Sequence, residues 1–240
     1  GLLDRLLEAD SADPAAVAAI AADLPPGLGL DRPEDARDWL QYLRALASTA
    51  MEVEPFEEFA AEAASGTLER GARLARAIVG WRDDLMVIGS SNILLATPLE
   101  RPGECASMLA KGEALCAALG GWFAGYERVR ERRPRLEVLL FESRQEYLDQ
   151  SGGRDAHARL SWARGHYDLT EKVSRFFVPS TDSVGWESAF EVFLHELTHH
   201  WLDQRCPAFV GSARSLGTTD EGYWVVEGFA SFAESLDFDP

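Results

Sequence analysis

The stretch FLHELTHHWLDQR, residues Phe193 to Arg205, holds three of the five histidines of this 240-residue chain. Apolar residues recur through it every three to four positions, which predicts a helix with one buried face. His195 and His199 stand four positions apart, so they lie one turn apart on one side of that helix and can converge on a single metal ion. Glu196 projects about 100° away from His195, where it is poorly placed to bind the ion but can reach a water on it. The stretch therefore predicts a metal-binding helix that carries its own general base.

A catalytic zinc site needs a third protein ligand and one open position for water. We expect that ligand to be Glu227, which lies among apolar residues in the amphipathic stretch GYWVVEGFASFAE, because a carboxylate in such surroundings requires a cationic partner. Asp220 and Glu221 are alternatives. Asp203 is not favoured, because it forms a straight row with the two histidines and a row cannot surround one ion.

Other polar residues near these helices have less direct predicted roles. Ser231 and Glu234 follow Glu227 by four and seven positions on the same helix face, so either one could hydrogen-bond a ligating imidazole. His200 points about 100° away from His199, which indicates a structural role rather than metal ligation.

The composition limits the partners of the chain. Its formal net charge of −17 disfavours binding to nucleic acid or to an anionic membrane surface, and the absence of an apolar run of about 20 residues predicts no membrane insertion. The opening GLLDRLLEAD is typical of an amphipathic helix rather than a signal peptide, and both an exported and a cytoplasmic location stay open, as does the oligomeric state. We expect Cys105, Cys116 and Cys206 to be buried free thiols.

The amino-acid composition and the pattern of apolar residues change near residue 80. Residues 1–80 are rich in Ala, Leu, Glu and Arg and are predicted to form a helical N-terminal region of four or five helices. Residues 81–240 mix apolar strand patterns with helical ones, so the whole chain is predicted to be α+β. The predicted elements of this second part are a hairpin or a bent strand at 84–99, a helix at 103–126, a strand at 135–143, a capped short helix at 143–150, a hairpin whose strands RLSWARGHYD and VSRFFVPS flank residues 169–172, and helices at 186–205 and 222–236.

These motifs resemble those of the gluzincin metallopeptidases, in which an HExxH helix is followed by a second helix that supplies a glutamate ligand. The similarity is closest to bacterial peptidase MA-like proteins, through RLEVLLFESRQEYL, GHYD, HELTH and EGFASF, and it spans about residues 84–238. It implies a zincin-like domain at 81–240 with a small mixed sheet, the HExxH helix and the glutamate-bearing helix. It also implies that Zn²⁺ is held by His195, His199 and Glu227, with Glu196 as the base.

The resemblance implies a zinc-dependent metallopeptidase that hydrolyses peptide bonds of a peptide or protein substrate. Zinc lowers the pKa of a water, Glu196 accepts its proton, and a further donor stabilises the oxyanion. Candidates for that donor are His166, Tyr167 and Tyr223, and the strand around GHYD could offer a sheet edge to an extended peptide. Phe232 stands where the resembled family commonly has Tyr. Two alternatives stay open, namely a zinc hydrolase acting on a non-peptide amide and a catalytically impaired metal-binding scaffold or interaction protein.

Overall fold

A computed structural model describes residues 52–54, 85–99, 101–124, 134–152, 158–180, 182–210 and 223–236. The elements in chain order are β1 (Glu52–Glu54), β2 (Met86–Gly89), β3 (Ile93–Thr97), α1 (Pro102–Trp122), β4 (Leu136–Phe141), α2 (Arg144–Gln150), β5 (Gly165–Asp168), β6 (Val173–Phe177), α3 (Ser183–Arg205) and α4 (Tyr223–Glu234). The strands form one mixed sheet in the order β1-β2-β3-β4-β6-β5. The predicted combination of helices with a mixed sheet is therefore confirmed for the described part of the chain.

The predicted helical region at 1–80 is wrong at Glu52–Glu54, which form an edge strand paired antiparallel with β2. Glu54 precedes a proline, whose ring disfavours helical backbone at the residue before it, and the edge of β2 supplies hydrogen-bonding partners that local sequence does not reveal. The rest of the predicted N-terminal helices lie outside the described residues.

Residues 84–99 form a hairpin rather than a bent strand, and the predicted hairpin around residues 169–172 is confirmed, although its strands are shorter than predicted, at 165–168 and 173–177. β2 and β3 pair antiparallel through the turn at Ser90, whose N–H donates to the Ile93 carbonyl at 2.8 Å. β5 and β6 also pair antiparallel, and Lys172 takes the left-handed backbone conformation that closes their turn, with φ of 57°. β4 runs parallel to both β3 and β6, so each hairpin contributes one strand to the parallel centre of the sheet.

Helices cover the two faces of the sheet unequally. Along β4, Val138 and Leu140 face a large core that includes apolar residues of α1, α3 and α4. The alternate residues Leu139 and Phe141 face a smaller core that includes Tyr147 of α2. This alternation is the period of two expected for a strand buried on both faces, and it places α3 and α4 on the same side of the sheet.

Helix α3 begins earlier than the sequence predicted. Its N-cap is Asp182, whose carboxylate accepts a hydrogen bond from the Gly185 N–H at 2.8 Å. A side chain at Gly185 would meet the Ser180 carbonyl, because a Cβ there would lie 1.9 Å from its oxygen. The cap and the glycine therefore fix how the chain enters the helix that carries the three clustered histidines.

The predicted cap of α2 is confirmed in its first half, since Ser143 Oγ accepts from the Glu146 N–H at 3.2 Å. The Glu146 carboxylate, however, accepts from the Glu142 N–H. The three cysteines are buried and free, as predicted. Among the described helices, none combines the length and the apolar character needed to cross a membrane.

Candidate metal centre

His195, His199 and Glu227 converge between α3 and α4. The Nε2 atoms of the two imidazoles are 3.1 Å apart. Glu227 Oε2 lies 3.4 Å from His195 Nε2, and Glu227 Oε1 lies 3.3 Å from His199 Nε2. These are the three side chains that the sequence singled out as metal ligands, and among the described residues they form a group able to hold a metal ion.

The spacing of the three groups fits zinc. Ligands at about 2.0–2.1 Å in tetrahedral geometry lie about 3.3 Å from one another, and the two imidazole nitrogens are separated by a similar distance of 3.1 Å. Each oxygen of the Glu227 carboxylate lies 3.3–3.4 Å from one of these nitrogens, so one atom from each of the three residues could bind the same cation. The donor set of two imidazoles and one carboxylate is one that zinc accepts readily.

Glu234, seven positions after Glu227, orients the first imidazole. Its Oε2 lies 2.9 Å from His195 Nδ1, so the ring donates its proton there and turns the Nε2 lone pair towards Glu227 and His199. Burial lowers the pKa of His195, but the hydrogen bonds to Glu227 and Glu234 and the charge of Glu196 outweigh it, and the net pKa is raised. Ser231 and Glu234 were both predicted as possible hydrogen-bond partners of an imidazole. Glu234 makes this contact, whereas Ser231 is exposed.

Glu196 is buried beside the two histidines, with 8% of its surface exposed. Burial raises the pKa of its carboxyl, while His199, His195 and a hydrogen bond from the Tyr167 backbone N–H oppose that rise. The carboxylate is thus held by a strand backbone on one side and lines the same pocket as the metal-binding group.

His200 has different surroundings from the histidine that precedes it. Its ring is fully buried, lies 3.1 Å from Ser174 Oγ and 2.6 Å from Gln204 Nε2, and stacks on Tyr167 with ring centroids 4.5 Å apart. These are the contacts of a structural histidine. Asp203 is also engaged elsewhere, since its Oδ2 accepts from Lys172 Nζ at 2.6 Å.

The three oxyanion-donor candidates occupy different places. Tyr167 lines the pocket, but its hydroxyl donates to Asp203 Oδ2 at 2.8 Å. His166 also lines the pocket, and its Nδ1 is hydrogen-bonded to the Tyr147 hydroxyl at 2.8 Å. Tyr223 is the first residue of α4, and its side chain lies outside what the structure describes, as do the alternative ligands Asp220 and Glu221.

A pocket of about 210 Å³ opens onto this group. Its polar side includes the imidazoles of His195 and His199 with Glu196 and Glu227, and its apolar side includes Trp162. That indole is 84% exposed, and Leu169, on the same pocket, is 45% exposed. The pocket therefore joins a polar reactive end to an open apolar wall.

Two contacts were missed by reasoning from sequence, namely the bond of Tyr167 to Asp203 and that of His166 to Tyr147. Neither contact has a local sequence signal, because each depends on which helix packs beside strand β5 in the fold.

Comparisons of this chain with protein-family models, with curated proteins and with solved structures find no match.

Proposed function

We propose that this protein is a zinc-dependent metallopeptidase of the gluzincin type, built on a zincin-like domain. The observation that carries the proposal is the convergence of His195, His199 and Glu227, whose imidazole nitrogens lie 3.1 Å from each other and each 3.3–3.4 Å from a carboxylate oxygen. Two ligands come from one helix and the third from another, which is the distribution expected of a catalytic zinc site with three protein ligands.

The three side chains would hold the ion, and Glu234 would keep His195 in the tautomer that ligates through Nε2. When bound, zinc supplies a Lewis acid that lowers the pKa of a water towards about 7 and polarises a carbonyl. A carboxylate partner on the far nitrogen of a ligating histidine also raises the basicity of the ring and so strengthens ligation.

Glu196 is the proposed general base. It lies next to His195 in sequence but projects from another side of α3, and burial raises its pKa. A carboxylate with a raised pKa accepts a proton from the attacking water more readily and can then deliver it to the leaving amine. The Tyr167 N–H restrains the carboxylate without neutralising it.

Peptides are the proposed substrate class. β5 is an edge strand of the sheet, and its residues Gly165, His166 and Tyr167 line the same pocket as the metal-binding group. An extended peptide could add beside such a strand as a further strand of the sheet. The exposed Trp162 and Leu169 beside that edge would contact apolar side chains of the peptide.

The test compares wild type with Glu196→Gln, which keeps the size of the side chain but removes the base. We expect zinc-loaded wild type to cleave a casein-type substrate and the variant to lose at least about 10²-fold in kcat, in line with the contribution of a positioned base. Elemental analysis serves as the control, and the variant is expected to keep its zinc.

Each other outcome has a distinct meaning. Zinc binding without cleavage by either protein would support a metal-binding scaffold. Cleavage of small non-peptide amides but not of peptides would support the other zinc hydrolase. Equal activity of both proteins on casein would exclude Glu196 as the base.

A further inference from the structure

On the side of α3 that faces β5, Glu196, His200 and Asp203 follow one another at positions i, i+4 and i+7. Helical geometry places these residues in a column. The first is the proposed base, the second is buried and stacked on Tyr167, and the third carries the carboxylate that binds Tyr167 and Lys172. One strand residue, Tyr167, therefore touches all three members of the column.

Three different parts of Tyr167 make these contacts. Its backbone N–H donates to the Glu196 carboxylate, its ring stacks on His200, and its hydroxyl donates to Asp203 Oδ2 at 2.8 Å. Its cross-strand neighbour Ser174 reinforces the alignment, because Ser174 Oγ donates to the Glu196 carbonyl oxygen at 3.4 Å. The β5–β6 hairpin is thus attached to α3 at Glu196 itself and, through Asp203, about two turns further along the helix.

Lys172 forms an ion pair with Asp203, the last residue of the column on α3. It lies in the turn that joins β5 to β6, and its Nζ is 2.6 Å from the Asp203 oxygen that also accepts from Tyr167. A hydrogen bond to a carboxylate is stronger than one to a neutral acceptor, and the ion pair fixes the position of this carboxylate. Lys172 thereby helps to hold the acceptor of the Tyr167 hydroxyl in place.

We propose that Asp203 and Lys172 are positioning residues which, through the Tyr167 side chain, hold the Tyr167 backbone N–H against the Glu196 carboxylate and so orient the general base. The functional part of this inference rests on the proposed peptidase activity. The structural part, that the side-chain bond maintains the backbone bond, does not need zinc or turnover.

The test uses Tyr167→Phe, which removes only the hydroxyl, and Asp203→Asn, which removes the charge that pairs with Lys172. Hydrogen exchange of the Tyr167 amide, followed by NMR on the whole chain without added zinc, reports the backbone bond directly. We expect exchange at this amide to be about tenfold faster in Tyr167→Phe than in wild type. Asp203→Asn is expected to change it in the same direction.

Tyr147→Phe is the matched control. It removes a hydroxyl that binds the other face of the same strand, at His166, and is expected to leave the Tyr167 amide unchanged. An unprotected Tyr167 amide in wild type would overturn the inference, and so would equal acceleration in Tyr147→Phe, which would mean that the strand had simply loosened.

Kinetics then separate this inference from the proposed function. With zinc-loaded protein we expect Tyr167→Phe to lower kcat about tenfold, with KM and zinc content unchanged. A full kcat despite faster amide exchange would overturn the positioning role. Failure of the proposed function would be seen separately, as absence of casein cleavage by zinc-loaded wild type.

Discussion

The histidines on two sides of helix α3 have different surroundings. On one side His195 and His199 face each other and the carboxylate of Glu227, with their nitrogens directed to a common point. On the other side His200 is bonded to the neutral Ser174 and Gln204 and packed against an aromatic ring. A buried imidazole with neutral partners is satisfied by the protein alone, whereas two imidazole nitrogens that face each other beside a carboxylate form a group able to hold a cation. Adjacent positions in sequence thus acquire unrelated roles from their neighbours in space.

The largest expected effect separates His199 from His200. His199→Ala removes one of three ligands, so we expect elemental analysis after dialysis to find no zinc, against one ion per wild-type chain. His200→Ala is expected to retain zinc but to lower the free energy of unfolding by about 1–3 kcal/mol, because the buried Ser174 hydroxyl and the half-buried Gln204 amide each lose one hydrogen bond. Urea unfolding measures that loss. Loss of zinc from His200→Ala but not from His199→Ala would contradict this assignment, because it would make His200 the ligand and His199 the structural residue.

A smaller effect on zinc binding is expected when Glu234, which is hydrogen-bonded to His195, is replaced. Glu234→Gln weakens the partner that orients His195 at Nδ1, so zinc affinity is expected to fall about 10–100-fold without abolition of binding. Competition with a chromophoric chelator gives the affinity. Ser231→Ala, one turn earlier on α4 and exposed, is the control and is expected to bind zinc like wild type. Equal weakening in both variants would remove the special role of Glu234.

The smallest effect concerns a histidine away from the metal ligands. Burial, with the charge of Arg175, lowers the pKa of His166 to about 4, below its ordinary value of about 6.5. Between these values the unfolded chain binds a proton that the folded chain does not, so stability falls as pH is lowered through this range.

The corresponding variant is His166→Asn. Wild type is expected to lose about 1–2 kcal/mol more than this variant between pH 7 and pH 5, as measured by urea unfolding at both values. An identical pH dependence in the two proteins would contradict the description of His166 as a neutral, buried group.

The sequence predicted the elements whose signals are local. The helical period around His195 and His199 identified α3, and the amphipathic pattern around Glu227 identified α4. The position of Glu227 among apolar residues of α4 predicted that α4 packs against α3, which brings Glu227 close to the two histidines. Both hairpins were also predictable, because polar turn residues separate their apolar runs.

Features that depend on distant partners were not predictable. β1 forms because an edge of β2 lies open to it, and nothing within its three residues indicates that pairing. The roles of Tyr167 and Asp203 depend on which strand lies beside which turn of α3, and their bond joins residues 36 positions apart. The early start of α3 came from a cap at Asp182 that the apolar period alone does not contain.

The most direct test of the central claim is the position of a zinc ion in crystals of the zinc-loaded protein, located by anomalous scattering at the zinc edge. The account predicts one strong peak about 2 Å from His195 Nε2, His199 Nε2 and a carboxylate oxygen of Glu227. No peak between these three side chains, or a peak held by other residues, would contradict it.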